Sequence, residues 1–170
     1  VSVAIASPHD GAVQEAAPYV IIELPGPPRG RHEMARVIYI RGKPVAVMHL
    51  DTKTKKYMQE LRKAAALAML RKKILDGPIG VGILATMPIP KSWTERERAD
   101  ALAGVIIPEC KPDWDNIGKM CDALKDIVWV DDAKVAQGTV IKQYGEHPSL
   151  RIEVFRLQPR TPLFELKLLD

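Results

Sequence analysis

The sequence contains no stretch approaching the roughly 18 to 20 uninterrupted apolar residues that a membrane-crossing helix needs, so a soluble protein with no membrane partner is expected. Its opening, VSVAIASPHDGAVQEAAP, lacks the basic start and sustained apolar run of a secretory signal. It has only two cysteines, Cys110 and Cys121, with no CxxC pair and no paired-histidine pattern. Neither a zinc site nor a disulfide framework is indicated, and a reducing cytoplasm is the expected setting. The histidines His9, His32, His49 and His147 show no metal-ligand spacing, which leaves them structural or solvent-facing roles. Internal repeats and low-complexity tracts are also missing.

What remains is an ordinary globular composition: 170 residues and 46% hydrophobic. That length builds one good core rather than two, so a single domain over residues 18–158 is expected. Residues 1–17 read as a flexible extension and 159–170 as a tail whose LFELKLL can pack on the body or on a partner. A net charge of +4 is compatible with nucleic acid but says little alone. Distribution says more. Arginines and lysines crowd the first two thirds, whereas Asp113, Asp115, Asp122, Asp126, Asp131 and Asp132 crowd one later segment. A basic binding surface around an acidic metal site fits that separation.

YVIIE reads as a strand that ends at GPPRGR, where two prolines lack donors. RVIYI and AVMHL, joined by RGKP, form a hairpin with a basic tip. From Asp51 or Thr52 an amphipathic helix carries Tyr57, Leu61, Ala64, Leu67, Ala68 and Leu70 on its packing face. IGVGILATMPI reads as a buried strand, and a short charged helix capped by Ser92 follows. One helix over DWDNIGKMCDALKD comes next, then the strand IVWV, an aspartate pair, and the strands KVAQGTVIKQY and SLRIEVFRL.

Asp113 at the cap and Asp115 in the first turn of that helix stand where helix-end N–H groups and the dipole favour ionised carboxylates. Asp115, Lys119, Asp122 and Asp126 share one face; Ile117, Met120, Cys121 and Leu124 share another. Lys119 reads either as an ion-pair partner of Asp115 or as a cation aimed at a scissile phosphate. A strand over IVWV would deliver one of Asp131 and Asp132 to the helix cap, completing a three-carboxylate site suited to Mg²⁺. Such a site hydrolyses phosphodiesters without a serine or cysteine nucleophile. Acidic clusters of this kind also serve glycosyl, phosphoryl and nucleotidyl transferases.

The segment KPDWDNIGKMCDALKDIVWVDDAKV closely resembles the signature of RusA-type Holliday junction resolvases. The likeness runs on through VAQGTVIKQYGEHPSLRIEVF and, more loosely, takes in LPGPPRGR and MPIPKSWTERERADAL. It implies a homodimeric α+β fold, a mixed β-sheet packed with helices, in a bacterial or prophage-encoded enzyme. It also implies Mg²⁺ as cofactor and four-way junction DNA as substrate, cut by paired symmetrical nicks in recombination and repair. Position by position, it makes Asp113, Asp115 and Asp132 the essential metal ligands and Lys119 a helper at the phosphate, with Asn116 and Asp131 also matching. Trp114, between the two aspartates, is expected to pack or support backbone. The hairpin and the SWTERERADALAGVIIPEC insertion depart from the shortest members and leave the DNA contacts less defined. Arg29, Arg31, Arg36, Lys43, Arg96 and Arg98 are the candidates. A general branched-DNA or flap nuclease and a non-catalytic DNA-binding module are the competing functions.

Overall fold

The computed structural model describes residues 17–157; residues 1–16 of the expected extension, and the whole 159–170 tail with LFELKLL, lie outside the described residues. In chain order the elements are β1 (Val20–Pro25), β2 (Glu33–Ile40), β3 (Lys43–Leu50), α1 (Thr52–Ala68), β4 (Ile79–Pro88), α2 (Glu95–Leu102), α3 (Trp114–Gly118), β5 (Val135–Gly145) and β6 (Ser149–Arg156). Short 3-10 helices cover Lys119–Leu124 and Asp132–Lys134.

Four strands form one mixed sheet in the order β1-β6-β4-β5, antiparallel except for the parallel pair β4–β5. β4 is central and buried along nearly its whole length, which is why its sequence reads as a continuous apolar run instead of alternating. Parallel neighbours need a long crossover, and this one carries α2, α3 and both 3-10 helices. The acidic segment therefore rides on the connection between two adjacent strands. The architecture is a single α+β domain, with β2 and β3 forming a separate two-stranded ribbon.

The core joins Ile22, Ile83, Leu150 and Ile152 from the sheet to Leu61 and Ala65 of α1 and to Ile117, Met120, Leu124 and Trp129 of the crossover. Asp51 caps α1, its Oδ1 accepting from the Thr54 backbone N–H at 2.7 Å. The packing face of α1 is narrower than expected: Leu67 and Leu70 are both 68% exposed. Leu67 lies two positions past the buried Ala65, a rotation of roughly 200°, and Leu70 lies beyond the helix end.

Three further expectations change on the crossover. α2 is capped by Thr94, not Ser92, because Thr94 and Glu97 complete a reciprocal capping box after a turn in which Trp93 N–H donates to the Pro90 carbonyl. The helix expected over Asp113 to Asp126 breaks at Gly118, a residue of poor helix propensity, and tightens into the 3-10 helix. Asp126 lies past its end at φ +64°, so the four-residue polar face does not continue that far. IVWV is not a strand. Val128 and Trp129 are both fully buried, but they join no ladder, Trp129 making only isolated bridges to Leu75 and Lys125. They are pinned instead by Leu75, whose N–H donates to the Val128 carbonyl at 2.8 Å and whose carbonyl accepts from Val130 at 3.1 Å.

Candidate active site

α3 begins at Asp113, which occupies the cap position but makes no side-chain cap bond. Its carboxylate is instead paired with the Lys111 ammonium. Asp115, in the first turn, accepts from Lys119 Nζ at 3.0 Å. That ammonium is the main reason the Asp115 carboxyl sits below the usual range; backbone N–H groups add less. The dipole of a five-residue helix is correspondingly a minor influence. Both aspartates have about half their side-chain surface open to solvent.

Asp132 follows the pinned turn rather than a strand end, at the start of its 3-10 helix. Its Oδ1 accepts from the indole Nε1–H of Trp129 at 2.8 Å. Trp129 is completely buried, and a buried indole N–H needs such a partner. One Asp132 oxygen is thus committed to orienting the side chain. The neighbouring Asp131 caps the turn, accepting from the Ala133 N–H at 2.9 Å, which holds its carboxyl below the ordinary range, with Lys125 adding to the effect. Cys121 packs against the core, where desolvation, and then the charges of Asp122 and Asp132, push its thiol up to about 12.

The loop after β1 closes over α3 from the other side of the sequence. Gly30 passes so close that an added Cβ would stand 2.7 Å from Pro112 Cβ and 2.8 Å from Asn116 Cβ. The Arg31 N–H donates to the Asn116 carbonyl at 2.7 Å, and the Arg31 guanidinium pairs with both Glu33 and Asp122. A cleft of about 400 Å³ results, lined by Arg31, Glu33, Asn116, Lys119 and Asp122. A second, of about 530 Å³, runs along residues 25–30 to His32, Asp51, Tyr57 and Lys111. Burial raises the Tyr57 hydroxyl in that second cleft to about 12, and the Arg29 guanidinium lies 5.7 Å from its ring centroid.

The acidic residues are therefore gathered on one crossover, but among the described residues no group of three His, Cys, Asp or Glu side chains is arranged to hold a metal ion. Asp113 and Asp115 nevertheless suit a hard divalent cation. They offer solvent-reachable carboxylate oxygens two residues apart, and magnesium commonly binds through one or two carboxylates plus water and phosphate. The DNA-contact candidates fall in three places. Arg29 and Arg31 flank the clefts, Arg36 and Lys43 stand exposed on the ribbon, and Arg96 and Arg98 stand exposed on α2, where Arg98 reaches the Pro90 carbonyl at 3.4 Å. His32 is tied to Asp51 at 3.0 Å.

Sequence reasoning missed Lys111, Trp129 and Gly30 as parts of this arrangement. A lysine two residues before the DxD, and a tryptophan three residues before Asp132, were the available signals for the first two. Nothing local announces the close approach at Gly30.

The chain is similar to a protein of Bacillus subtilis (strain 168) described as "Uncharacterized protein YqaN": 32% identity over 107 residues, 61% of this chain and 74% of that protein. The family model described as "Endodeoxyribonuclease RusA" matches residues 25–155, from the end of β1 into β6, and thus takes in the loop, both clefts and the whole acidic crossover. On that span, the chain belongs to the RusA endodeoxyribonuclease family.

Proposed function

We propose that this chain is a magnesium-dependent endonuclease that resolves Holliday junctions by paired, symmetrical nicks, acting as a homodimer in DNA recombination and repair in a bacterial or prophage setting. The observation that carries this reading is the half-exposed Asp113 and Asp115 pair, with Asp115 bonded to Lys119, a residue that lines the cleft walled by Arg31, within a chain of this family.

Asp113 and Asp115 are the proposed metal ligands, joined by Asp132 through the oxygen that Trp129 does not hold. When bound, the cation polarises the phosphate, supplies an activated water and stabilises the departing 3′ oxygen. The chain's own groups do the rest. Lys119, now neutralising Asp115, is close enough to compensate charge that develops on a phosphate beside that carboxylate. Arg31, held by Glu33 and Asp122, presents a positioned cation at the cleft wall. Arg29, Arg36, Lys43, Arg96 and Arg98 hold backbone phosphates farther out, so affinity falls as salt rises. A twofold dimer offers equivalent sites to opposed strands of a junction of matching symmetry.

The test uses a labelled synthetic junction, a flap and a linear duplex, each with and without magnesium, mapping nicks on every strand. Paired nicks on opposed junction strands are expected, with flap and duplex cut far more slowly. Asp113→Asn should still bind the junction while losing nicking by a factor of about 10² or more. Full activity in that variant would remove Asp113 from the site, and equal cutting of flap and duplex would favour a general branched-DNA nuclease.

A further inference from the structure

The cleft along residues 25–30 has no task in the chemistry assigned to Asp113, yet it opens beside that residue: Lys111 lines the cleft and pairs with the Asp113 carboxylate. Its volume of about 530 Å³ falls within the roughly 300–1,000 Å³ of small-molecule sites. The loop that walls it is held at both ends. The Gly26 N–H donates to the Pro148 carbonyl at 2.8 Å, and the Arg31 N–H to the Asn116 carbonyl at 2.7 Å. Between them, Pro27 and Pro28 have a fixed φ and no N–H to satisfy. The wall is therefore preformed, and a ligand has little ordering to impose on it.

The lining combines two chemistries. Pro25, Pro27, Pro28 and Pro112 join the half-buried Tyr57 in an apolar wall. The Tyr57 hydroxyl is shut off from water and makes no hydrogen bond of normal geometry, although the Arg29 backbone N–H lies near it. The ring, not the hydroxyl, is what Tyr57 offers the cleft. Among the charged groups, Asp51 is already committed, accepting from the Thr54 N–H and hydroxyl and paired with His32. The cations are open. Arg29 is exposed and takes part in no ion pair among the described residues, and the Lys111 side chain is 83% exposed. A purely apolar ligand would leave both cations unused, and a free phosphate would leave the ring and the prolines unused. A nucleotide uses all of them, with a base for the ring and a phosphate for the cations.

We propose that this cleft receives one unstacked base of the DNA substrate, laid against the Tyr57 ring, with the phosphate attached to it held by Arg29 and Lys111. The Arg29 guanidinium lies 5.7 Å from the ring centroid, and being exposed it can swing to the phosphate as the base takes its place on the ring. Extruding a base costs least where pairing and stacking are already interrupted, as at a branch point. Linear duplex must first break a stack, so Tyr57 becomes a residue that selects branched over linear DNA. The inference rests on the nuclease reading for its substrate.

Anisotropy titrations of the full chain on labelled four-way junctions without magnesium read affinity with no cutting. An abasic site is placed in turn at each nucleotide flanking the branch point. At one position it should weaken wild-type binding about tenfold, within the range that stacking one base on an aromatic side chain supplies. Tyr57→Leu should weaken the intact junction by a similar factor and be insensitive to that abasic site, whereas Tyr57→Phe should behave as wild type. Arg29→Ala should weaken intact and abasic junctions alike, with a shallower salt dependence. Irradiating the wild type on a junction that carries iodouracil at the same position should attach it to Tyr57, a result that needs no variant to fold. Independent losses from Tyr57→Leu and the abasic site, a Tyr57→Phe as weak as Tyr57→Leu, or attachment confined to other residues would overturn the cleft as a base site. Nicking in magnesium without any base-dependent affinity would overturn this inference alone, and base-dependent affinity without nicking would overturn the nuclease reading alone. A chain that bound no junction would overturn both.

Discussion

Replacing Asp132 by alanine strips the acceptor from the Trp129 indole, a donor with no exposed surface around it. An unsatisfied buried donor costs about 1–3 kcal/mol. Asp132 itself is exposed, so water entering the vacated space recovers part of the bond, and the loss should fall near about 1–2 kcal/mol. For a chain of this size that corresponds to a drop of roughly 2–8 °C in thermal midpoint. Asp132→Asn keeps an acceptor oxygen and should stay within about 0.5 kcal/mol of wild type, while losing the charge that the proposed metal binding would use. Denaturant titration of wild type, Asp132→Ala, Trp129→Phe and the double variant isolates the pair. In the Trp129→Phe background the alanine change should cost almost nothing, giving a coupling of about 1 kcal/mol or more. Additive effects within about 0.5 kcal/mol would mean that the indole does not orient Asp132, and the tethered-oxygen account of the site would fall.

Lys119→Ala should lower junction turnover more than junction binding, and carboxyl chemical shifts followed by NMR should show Asp115 titrating closer to its ordinary 3.8. Because the folded-state value lies below that figure, the stability Asp115 contributes is present above about pH 4 and is lost as acidity carries it through the depressed value. Wild-type activity between pH 5 and 8 should therefore show no step from this group, and a step that vanished in Lys119→Ala would contradict the pairing. In a thiol titration of the native protein near pH 8, the exposed Cys110 should react promptly and Cys121, with its thiol at about 12, only on denaturation. Two promptly reacting thiols would show that the crossover opens.

Element types were legible wherever one periodicity dominated. The continuous apolar run of β4, a hairpin turn within RGKP, which the structure narrows to Arg41–Gly42, and a cap at Asp51 or Thr52, which it settles at Asp51, followed from local chemistry. The acidic crossover was legible as a concentration of carboxylates but not as geometry. A helix reading of Asp113 to Asp126 and a strand reading of IVWV both assumed regular periods, whereas Gly118 and the pinning of Val128 and Trp129 by Leu75 set the path through tertiary contacts. Individual charges were the least legible. Arg31 reads in the sequence as a free cation for DNA, yet Asp122, ninety-one positions away, and the nearby Glu33 share its guanidinium. Pairings of that separation leave no trace in local spacing.

The absence of room beside Gly30 ties two distant parts of the chain into one moving piece. A shift of α3 toward the loop after β1 would press Asn116 and Pro112 against the backbone at residue 30, and the Arg31 links to Asn116 and Asp122 tie that same segment to the root of the ribbon. The placement of α3 and the root of the ribbon are then set together, and even a single methyl group at position 30 would force them apart.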